Sequence, residues 1–358
     1  MINNLIDKLL KRRLIDGLYP KGDEFKSRLH RIIENPTTVY TGIDATASSL
    51  HVGNLATIIN SLYFQAHGHR VICVIGDATA AVGDPSGHSS DRSKLDKSVI
   101  EHNATSIENT LRRIFCNFND FIYSKGLFNV TGGPQVMQEP LIVRNSDWYR
   151  DKNVVEFVSD TFRDVRVGWL LHKTSVQDRL ATKNGMNAAE FCYQIFQAYD
   201  WLELWKRYDC KLQIGGSDQG GNIYTGHDLI KRQCNSSDSI GLLAPLITVN
   251  GKKLGKSTEK FRTAIWLNRD RTSPFELYQF FRKTPDDDTE KFLKVFSFYD
   301  DQTIESLIRD HLRSKENAWL CQRKLAEHAC LLIHGEEGLK EAQSETEKRF
   351  NEPHRTSI

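Results

Sequence analysis

The stretch SSLHVGNLATI, residues 48–58, follows the β-rich run TVYTGI at 38–43 and opens a pattern in which Val52, Leu55, Ile58 and Ile59 recur with a helical period. Ser48 and Ser49 carry side chains suited to capping that helix. Its first turn nevertheless holds His51, Gly53 and Asn54, none of them a strong helix former, and a glycine there costs about 1 kcal/mol relative to alanine. One reading is that a helix start tolerates small and polar residues. The other is a junction shaped for a ligand. His51 and Asn54, three apart, share one face, Gly53 leaves room for a flat ring, and a helix N-terminus favours an anion.

Working outward, β-rich runs at 71–76 (VICVIG), 140–144 (PLIVR), 210–214 (CKLQI) and 245–249 (PLITV) alternate with helical patterns at 51–66, about 97–118, about 153–172, 187–207 and 219–233. This alternation predicts an α/β fold with βαβ crossovers and a mostly parallel sheet, whose ligands sit beyond the carboxyl ends of the strands. From about 272 the patterns SPFELYQFF, TEKFLKVFSF, QTIESLIRDHL and NAWLCQRKLAEHACLLIHG are helical throughout. The expected organisation is a catalytic α/β domain over 1–270, a helical domain over 271–345, and a polar, frayed tail over 346–358.

Composition narrows the partners. A formal net charge of +2 in 358 residues excludes global attraction to nucleic acid, so any such partner meets a local basic patch. The apolar runs are strand-sized, short of the roughly 18 residues of a membrane span. Seven scattered cysteines without a CxxC pair suit a reducing compartment. The N-terminal MINNLIDKLLKRRLI is basic and amphipathic; it reads as a surface helix, with a targeting segment as the alternative.

Four further segments carry chemistry. GKKLGKS at 251–257 has three residues between its glycines where a phosphate-binding P-loop needs four, which leaves a basic loop with Lys253, Lys256 and the hydroxyl of Ser257. IGGSDQGGN at 214–222 is a glycine-rich βα turn in which Asp218 is placed to meet ribose hydroxyls. GDPSGHSSDR at 83–92 is turn-rich, with Asp84 near a strand end and Arg92 beyond it. In YQIFQAYD, Tyr193, Gln197 and Asp200 fall on one helix face, and burying them demands a partner for each. Each segment also has a plain reading, as a solvated turn, a capped turn, a surface loop or a polar stripe.

In this order YTGIDATASSLHVGN, GDPSGHSSDR, YQIFQAYD, QIGGSDQGGN, KLGKS and TSPFELYQFF resemble the class I aminoacyl-tRNA synthetases, and among them the tyrosyl-tRNA synthetases of mitochondrial type, over about residues 5–340. The resemblance implies a Rossmann-like doubly wound parallel sheet followed by an α-helical anticodon-binding-type domain. It implies activation of L-tyrosine by ATP with Mg²⁺ as co-substrate, transfer to tRNA(Tyr), and neither a tightly bound cofactor nor a metal site of the protein's own. It also implies a homodimer away from membranes, in the mitochondrial matrix or, alternatively, in a bacterial cytoplasm.

Residue by residue, the resemblance places Tyr40 and Asp200 at the phenol of tyrosine, Asp84, Tyr193 and Gln197 at its ammonium, and Gln219 near its carboxyl. Gly216 and Asp218 fall near the ribose, while Gly42, Asp44 and Thr46 contact ATP, Thr46 near the terminal phosphate. His51, Gly53 and Asn54 match the HIGH signature, and Lys253, Lys256 and Ser257 match KMSKS. Catalysis is thus expected of Thr46, His51, Asn54, Lys253, Lys256 and Ser257. Departures are Asn54 and His88, which replace a histidine and a lysine, Gly220 in place of a larger residue, and a longer stretch after KLGKS. The chain is also expected to lack the family's small C-terminal RNA-binding domain. The rival readings are an H-x-G-H nucleotidylyltransferase, the sister tryptophan enzyme, and an RNA-binding derivative that has lost catalysis.

Overall fold

Tyr40 sits opposite Ile72 on one neighbouring strand and Gln213 on the other, so the run that opens the α/β pattern lies inside the sheet. The structure is a computed structural model that describes residues 5–86, 90–128, 130, 132–249, 252–253, 264–313 and 319–351. Its strands are β1 (Gly17–Tyr19), β2 (Thr38–Asp44), β3 (Arg70–Gly76), β4 (Leu141–Arg144), β5 (Cys210–Gly216) and β6 (Ile240–Ala244), in the order β1-β6-β5-β2-β3-β4. All neighbours run parallel except β1, which pairs antiparallel with β6 at the edge. The strand order reverses between β2 and β5, and such a switch point opens a crevice beyond the strand ends.

The chain divides into two compact units. One contains Met1–Ser48, Tyr63–Glu108 and Pro134–Leu246, the other Ser49–Leu62, Asn109–Gly133 and Ile247–Ile358. This differs from a single cut at 270. In the first unit, Trp201, Leu202, Ile223 and Ile230 from the Ala188–Tyr208 and Gly220–Cys234 helices form a core with Tyr40, Ile72 and Val74 of the sheet. The Ala188–Tyr208 helix begins where Asn187 Oδ1 accepts from Glu190 N at 3.0 Å and ends where Asp209 turns left-handed at φ 49°.

In the second unit, Pro274–Arg282 starts from a capping box between Ser273 and Glu276, with proline in its first position. Asp286–Phe296, Asp301–Arg313 and Leu320–Asn351 follow, the last kinked at Gly335, φ 71°. Phe118, Phe128 and Phe298 cluster there with ring centroids 4.6 to 6.1 Å apart. The helix continues past 345 to Asn351, so that part of the expected tail is ordered helix.

Two expectations are corrected and one strand is added. The last of the expected strands lies at Ile240–Ala244, β6, and not at 245–249, because Pro245 lacks the amide that a ladder needs; Thr248–Val249 instead pairs with Lys252–Lys253 in a separate ribbon. The pattern at 153–172 is two helices, Val154–Thr161 and Val167–Leu171, joined by a 3₁₀ turn and extended residues Val165 and Arg166. Edge strand β1 has no apolar run of its own and is set by pairing with β6.

Close packing at β6 gives a test of this register. A Cβ at Gly241 would lie 2.1 Å from Ile223 Cγ2, in a β-branched side chain with little freedom to move. Gly241→Ala is expected to lose about 2 kcal/mol of unfolding free energy by urea titration, in the range typical of overpacking. An unchanged midpoint would place the Gly220–Cys234 helix wrongly against the sheet.

Candidate active site

The carboxyl ends of the strands bring four segments together in the first unit. Asp44 ends β2, Gly76 ends β3 and leads to Thr79, Asn145 follows β4, and Asp200 and Tyr193 lie on the Ala188–Tyr208 helix. Their side chains form one continuous chain of hydrogen bonds. Tyr193 Oη donates to Asp44 Oδ2 at 2.8 Å and Thr79 Oγ1 to Asp44 Oδ1 at 2.7 Å. Asn145 Nδ2 donates to Thr79 Oγ1 at 2.9 Å and to Asp200 Oδ2 at 3.1 Å, while its Oδ1 accepts from Ala78 N at 2.9 Å. Trp148 Nε1 and Tyr149 Oη, each at 2.8 Å, donate to Asp200 Oδ1.

Glycine at 76 makes this possible, since a Cβ there would stand 2.2 Å from Asp44 Oδ1 and 2.4 Å from Thr79 Oγ1. Burial dominates the electrostatics. It raises Asp200 to about 7 against the pull of its three donors, and Asp44 to about 6 against Thr79 and Tyr193. Tyr40, also buried, is pushed well above the usual phenol range by burial and then by Asp200. Its hydroxyl has no hydrogen-bond partner among the described residues.

A second cluster adjoins the β5 turn. Gln219 Nε2 donates to Asp84 Oδ2 at 2.9 Å and Gln219 Oε1 accepts from Asn222 Nδ2 at 3.0 Å. A Cβ at Gly216 would come within 2.6 Å of Asp218 Oδ1, so glycine lets that carboxylate fold back over the strand end. At Gly42 a Cβ would meet only Tyr40 Cε2, at 4.0 Å, and the surrounding protein does not itself demand glycine there. Gln197 and Thr46 are half-buried.

Asp84 and residues 90–92 are anchored around a buried ion pair. Arg179, 1% exposed, meets Glu190, 0% exposed, at 3.0 Å and Asp91 at 2.5 Å. Glu190 Oε1 accepts from Arg92 N at 2.7 Å, and Arg92 Nε donates to the carbonyl of Asp84 at 3.1 Å. Thr79, Asn145, Trp148, Tyr149, Arg179 and Glu190 lie outside every motif singled out in the sequence. The one signal for them was NSDWY after a strand, a polar cluster at a βα junction.

In the second unit the helix start differs from expectation. The cap is His51, not Ser48 or Ser49, and the first turn, Val52–Asn54, is 3₁₀ before the α-helix Leu55–Ala66. Ser49 Oγ instead donates to Leu50 O at 2.8 Å and accepts from Asn268 N at 3.0 Å. Asn54 Oδ1 accepts from His51 N at 3.0 Å, so the amide oxygen closes the turn and its NH₂ is what Asn54 offers a ligand. Gly53 lies within that turn. Backbone bonds Val52 N to Ile265 O (3.0 Å) and Leu267 N to Leu50 O (2.8 Å) tie the start to the chain beyond the basic loop, with His51 and Trp266 edge-to-face at 6.2 Å. Lys253 enters the ribbon through its backbone, while Lys256, Ser257 and His88 lie outside the described residues.

Burial of Asp200 has a measurable consequence. It titrates near 3.8 in an unfolded chain and near 7 when folded, so the folded state holds the proton more tightly. That stabilisation is complete below about pH 4 and is lost as the pH rises through 7. Between pH 4 and pH 8 the unliganded protein is expected to lose on the order of 3 kcal/mol more than Asp200→Asn, measured by chemical denaturation at each pH. Parallel curves would contradict a buried, titrating Asp200.

The sequence profile of the class I tRNA synthetases (W and Y) matches residues 33–351. The mitochondrial tyrosine–tRNA ligase of Drosophila melanogaster is 42% identical over 345 residues, covering 96% of this chain and 72% of the relative. Its Homo sapiens counterpart is 40% identical over 320 residues, covering 88% and 64%. Among solved structures, a C-terminally truncated Aspergillus nidulans mitochondrial tyrosyl-tRNA synthetase aligns with TM-score 0.83 at 30% identity, over 97% of this chain and 94% of that one. With the switch-point sheet and the residues gathered at its strand ends, these likenesses establish that the chain belongs to the class I tRNA synthetases, in their tyrosine-ligase branch.

Proposed function

We propose that this chain is a tyrosine–tRNA ligase that recognises the phenol of L-tyrosine through Asp200 and Tyr40. The observation that carries the reading is the buried Tyr40 hydroxyl, unpartnered among the described residues and within electrostatic reach of Asp200. A buried hydroxyl without a partner is destabilising, and a ligand hydroxyl relieves it. Phenylalanine offers no such group and tryptophan offers a donor in a different place. Asp84, Tyr193 and Gln197 then take the ammonium and Gln219 the carboxyl side.

The tyrosine carboxylate attacks the α-phosphorus of ATP. A new P–O bond forms, the bond to the bridging oxygen breaks, and pyrophosphate leaves. No protein base is needed, because the carboxylate is already ionised; rate comes from positioning and from stabilising charge on the phosphate oxygens. Thr46, His51, Asn54, Lys253, Lys256 and Ser257 are assigned to that charge, and Gly42, Asp44, Gly53, Gly216 and Asp218 to the nucleotide. Mg²⁺ is proposed to accompany the phosphates as part of the substrate. In the second step the terminal ribose hydroxyl of tRNA(Tyr) attacks the tyrosyl carbonyl and AMP leaves.

tRNA is assigned to the second unit, where Arg282, Lys283 and Arg323 line a groove of about 560 Å³ with Tyr278 and Trp319. Arg309 and Lys324 add charge nearby in sequence, with Arg313, while Lys315 lies outside the described residues. Val154, Val155, Val167 and Trp169 are exposed on the first unit, an apolar face suited to a second copy in a homodimer. No described helix is long and apolar enough to cross a membrane. The site of action is proposed as the mitochondrial matrix, by likeness to the mitochondrial relatives.

ATP–pyrophosphate exchange against all twenty amino acids is expected to occur with tyrosine alone. Tyr40→Phe is expected to lower the tyrosine-to-phenylalanine ratio of kcat/KM about tenfold, the scale of one lost hydrogen bond. Exchange with tryptophan only, or an unaltered ratio in the variant, would refute the pocket assignment. Arg282→Ala with Arg323→Ala is expected to raise the tRNA KM severalfold and make its salt dependence shallower, leaving exchange untouched. Normal charging across a salt titration would remove the groove from the tRNA site.

A further inference from the structure

Asp200 is 6% exposed and accepts three hydrogen bonds, and the donors are not equivalent. Asn145 is committed on every polar atom, to Ala78, Thr79 and Asp200, and belongs to the hydrogen-bond chain that also holds Asp44. Trp148 Nε1 is a fixed donor from a fully packed indole. Tyr149 alone reaches Asp200 through a hydroxyl with a second acceptor beside it, the carbonyl of Phe196 at 2.9 Å. Its ring is held independently of that hydroxyl, with centroids 5.5 Å from Phe196, 5.7 Å from Tyr199 and 5.9 Å from Phe157. Removing the oxygen therefore removes one donor from the carboxylate and little packing.

The titratable groups that face Asp200 are Tyr40 and Asp44 from β2, Tyr149 from the segment after β4, and Tyr193 and Tyr199 from its own helix. Every one is an acid, and Asp44 disfavours the carboxylate. Only hydrogen-bond donors oppose burial here. We propose that Tyr149 is a positioning residue for tyrosine recognition, whose hydroxyl keeps Asp200 in the ionised, acceptor form that a phenol requires. The proposal rests on the reading of Asp200 as the phenol partner. Burial places Asp200 at about 7, so loss of a donor falls where it is measurable.

The test measures tyrosine KM and kcat by pyrophosphate exchange between pH 6 and pH 8.5 for the wild type and for Tyr149→Phe, Tyr199→Phe and Asp200→Asn. Losing a bond to a charged group moves the acid limb up by about one pH unit. Tyr149→Phe is thus expected to raise KM about tenfold at pH 6, to match the wild type within about twofold at pH 8.5, and to leave kcat within about twofold at both. Tyr199→Phe removes a buried hydroxyl from the same aromatic cluster, where it bonds Glu203, and is expected to leave the profile unchanged. An equal rise in KM at both pH values would mark Tyr149 as packing only and overturn the proposal, as would no rise at pH 6. If Asp200→Asn keeps the wild-type KM, the phenol assignment falls and the proposal with it; a disabled Asp200→Asn beside a flat Tyr149→Phe profile sinks the proposal alone.

Discussion

Two carboxylates drawn out of water, Asp44 and Asp200, are held in one hydrogen-bond chain with Thr79, Asn145 and Tyr193, and the first unit is arranged around supplying their donors. A buried carboxylate is tolerable only when hydrogen bonds replace its lost hydration. Those donors come from three chain segments, after β3, after β4 and on the helix before β5, so no single element can make the site. The strand order is what brings them together. β2 lies between β3 and β5, and β4 flanks β3, which sets the four segments around one crevice. Gly76 shows how tight the arrangement is, since any side chain there would occupy the space of the Asp44–Thr79 bond.

Much of this frame was legible from periodicity. The runs that became β2, β3 and β5 are short, and β3, RVICVIG, is buried at every position after its first, the pattern a parallel sheet requires. The Tyr193–Asp200 stripe announced a polar face on an apolar helix, and both residues have buried partners. The partners themselves were not legible. Asn145, Thr79 and Tyr149 belong to residue types common in turns and cores, and what singles them out is proximity across the fold. β6 was displaced in the reading because PLITV looks more strand-like than IGLLA beside it, yet proline cannot donate to a ladder and Gly241 admits Ile223. Arg179 and Glu190 belong to no sequence motif; only their burial as a pair reveals a structural joint.

The poor helix start at His51 has a physical account in the second unit. A 3₁₀ first turn leaves amides that an α-helix would also leave unpaired, and the sequence satisfies one of them locally, with Asn54 accepting from His51 N. The pairing of 50–52 with 265–267 fixes the turn from outside. The residues that lower helix propensity there are thus not stabilised by the helix. They are held by tertiary bonds, which is how a segment keeps a conformation its own sequence disfavours.

The same logic separates stability from recognition in the tyrosine pocket. Three donors on Asp200 hold the carboxylate against burial, but no described residue satisfies Tyr40. A fully satisfied pocket would be more stable and would have nothing left with which to distinguish one ring from another. Leaving one buried hydroxyl without a partner keeps a destabilising feature in the unliganded protein that only a ligand with a matching group removes. Selectivity for a hydroxyl is strong under these conditions because a competitor lacking it leaves the buried Tyr40 hydroxyl unpaired. The hydrogen-bond chain is therefore what allows Tyr40 to remain unpaired: by fixing Asp200 and Asp44 from behind, it confines the deficit to the one atom that faces the substrate.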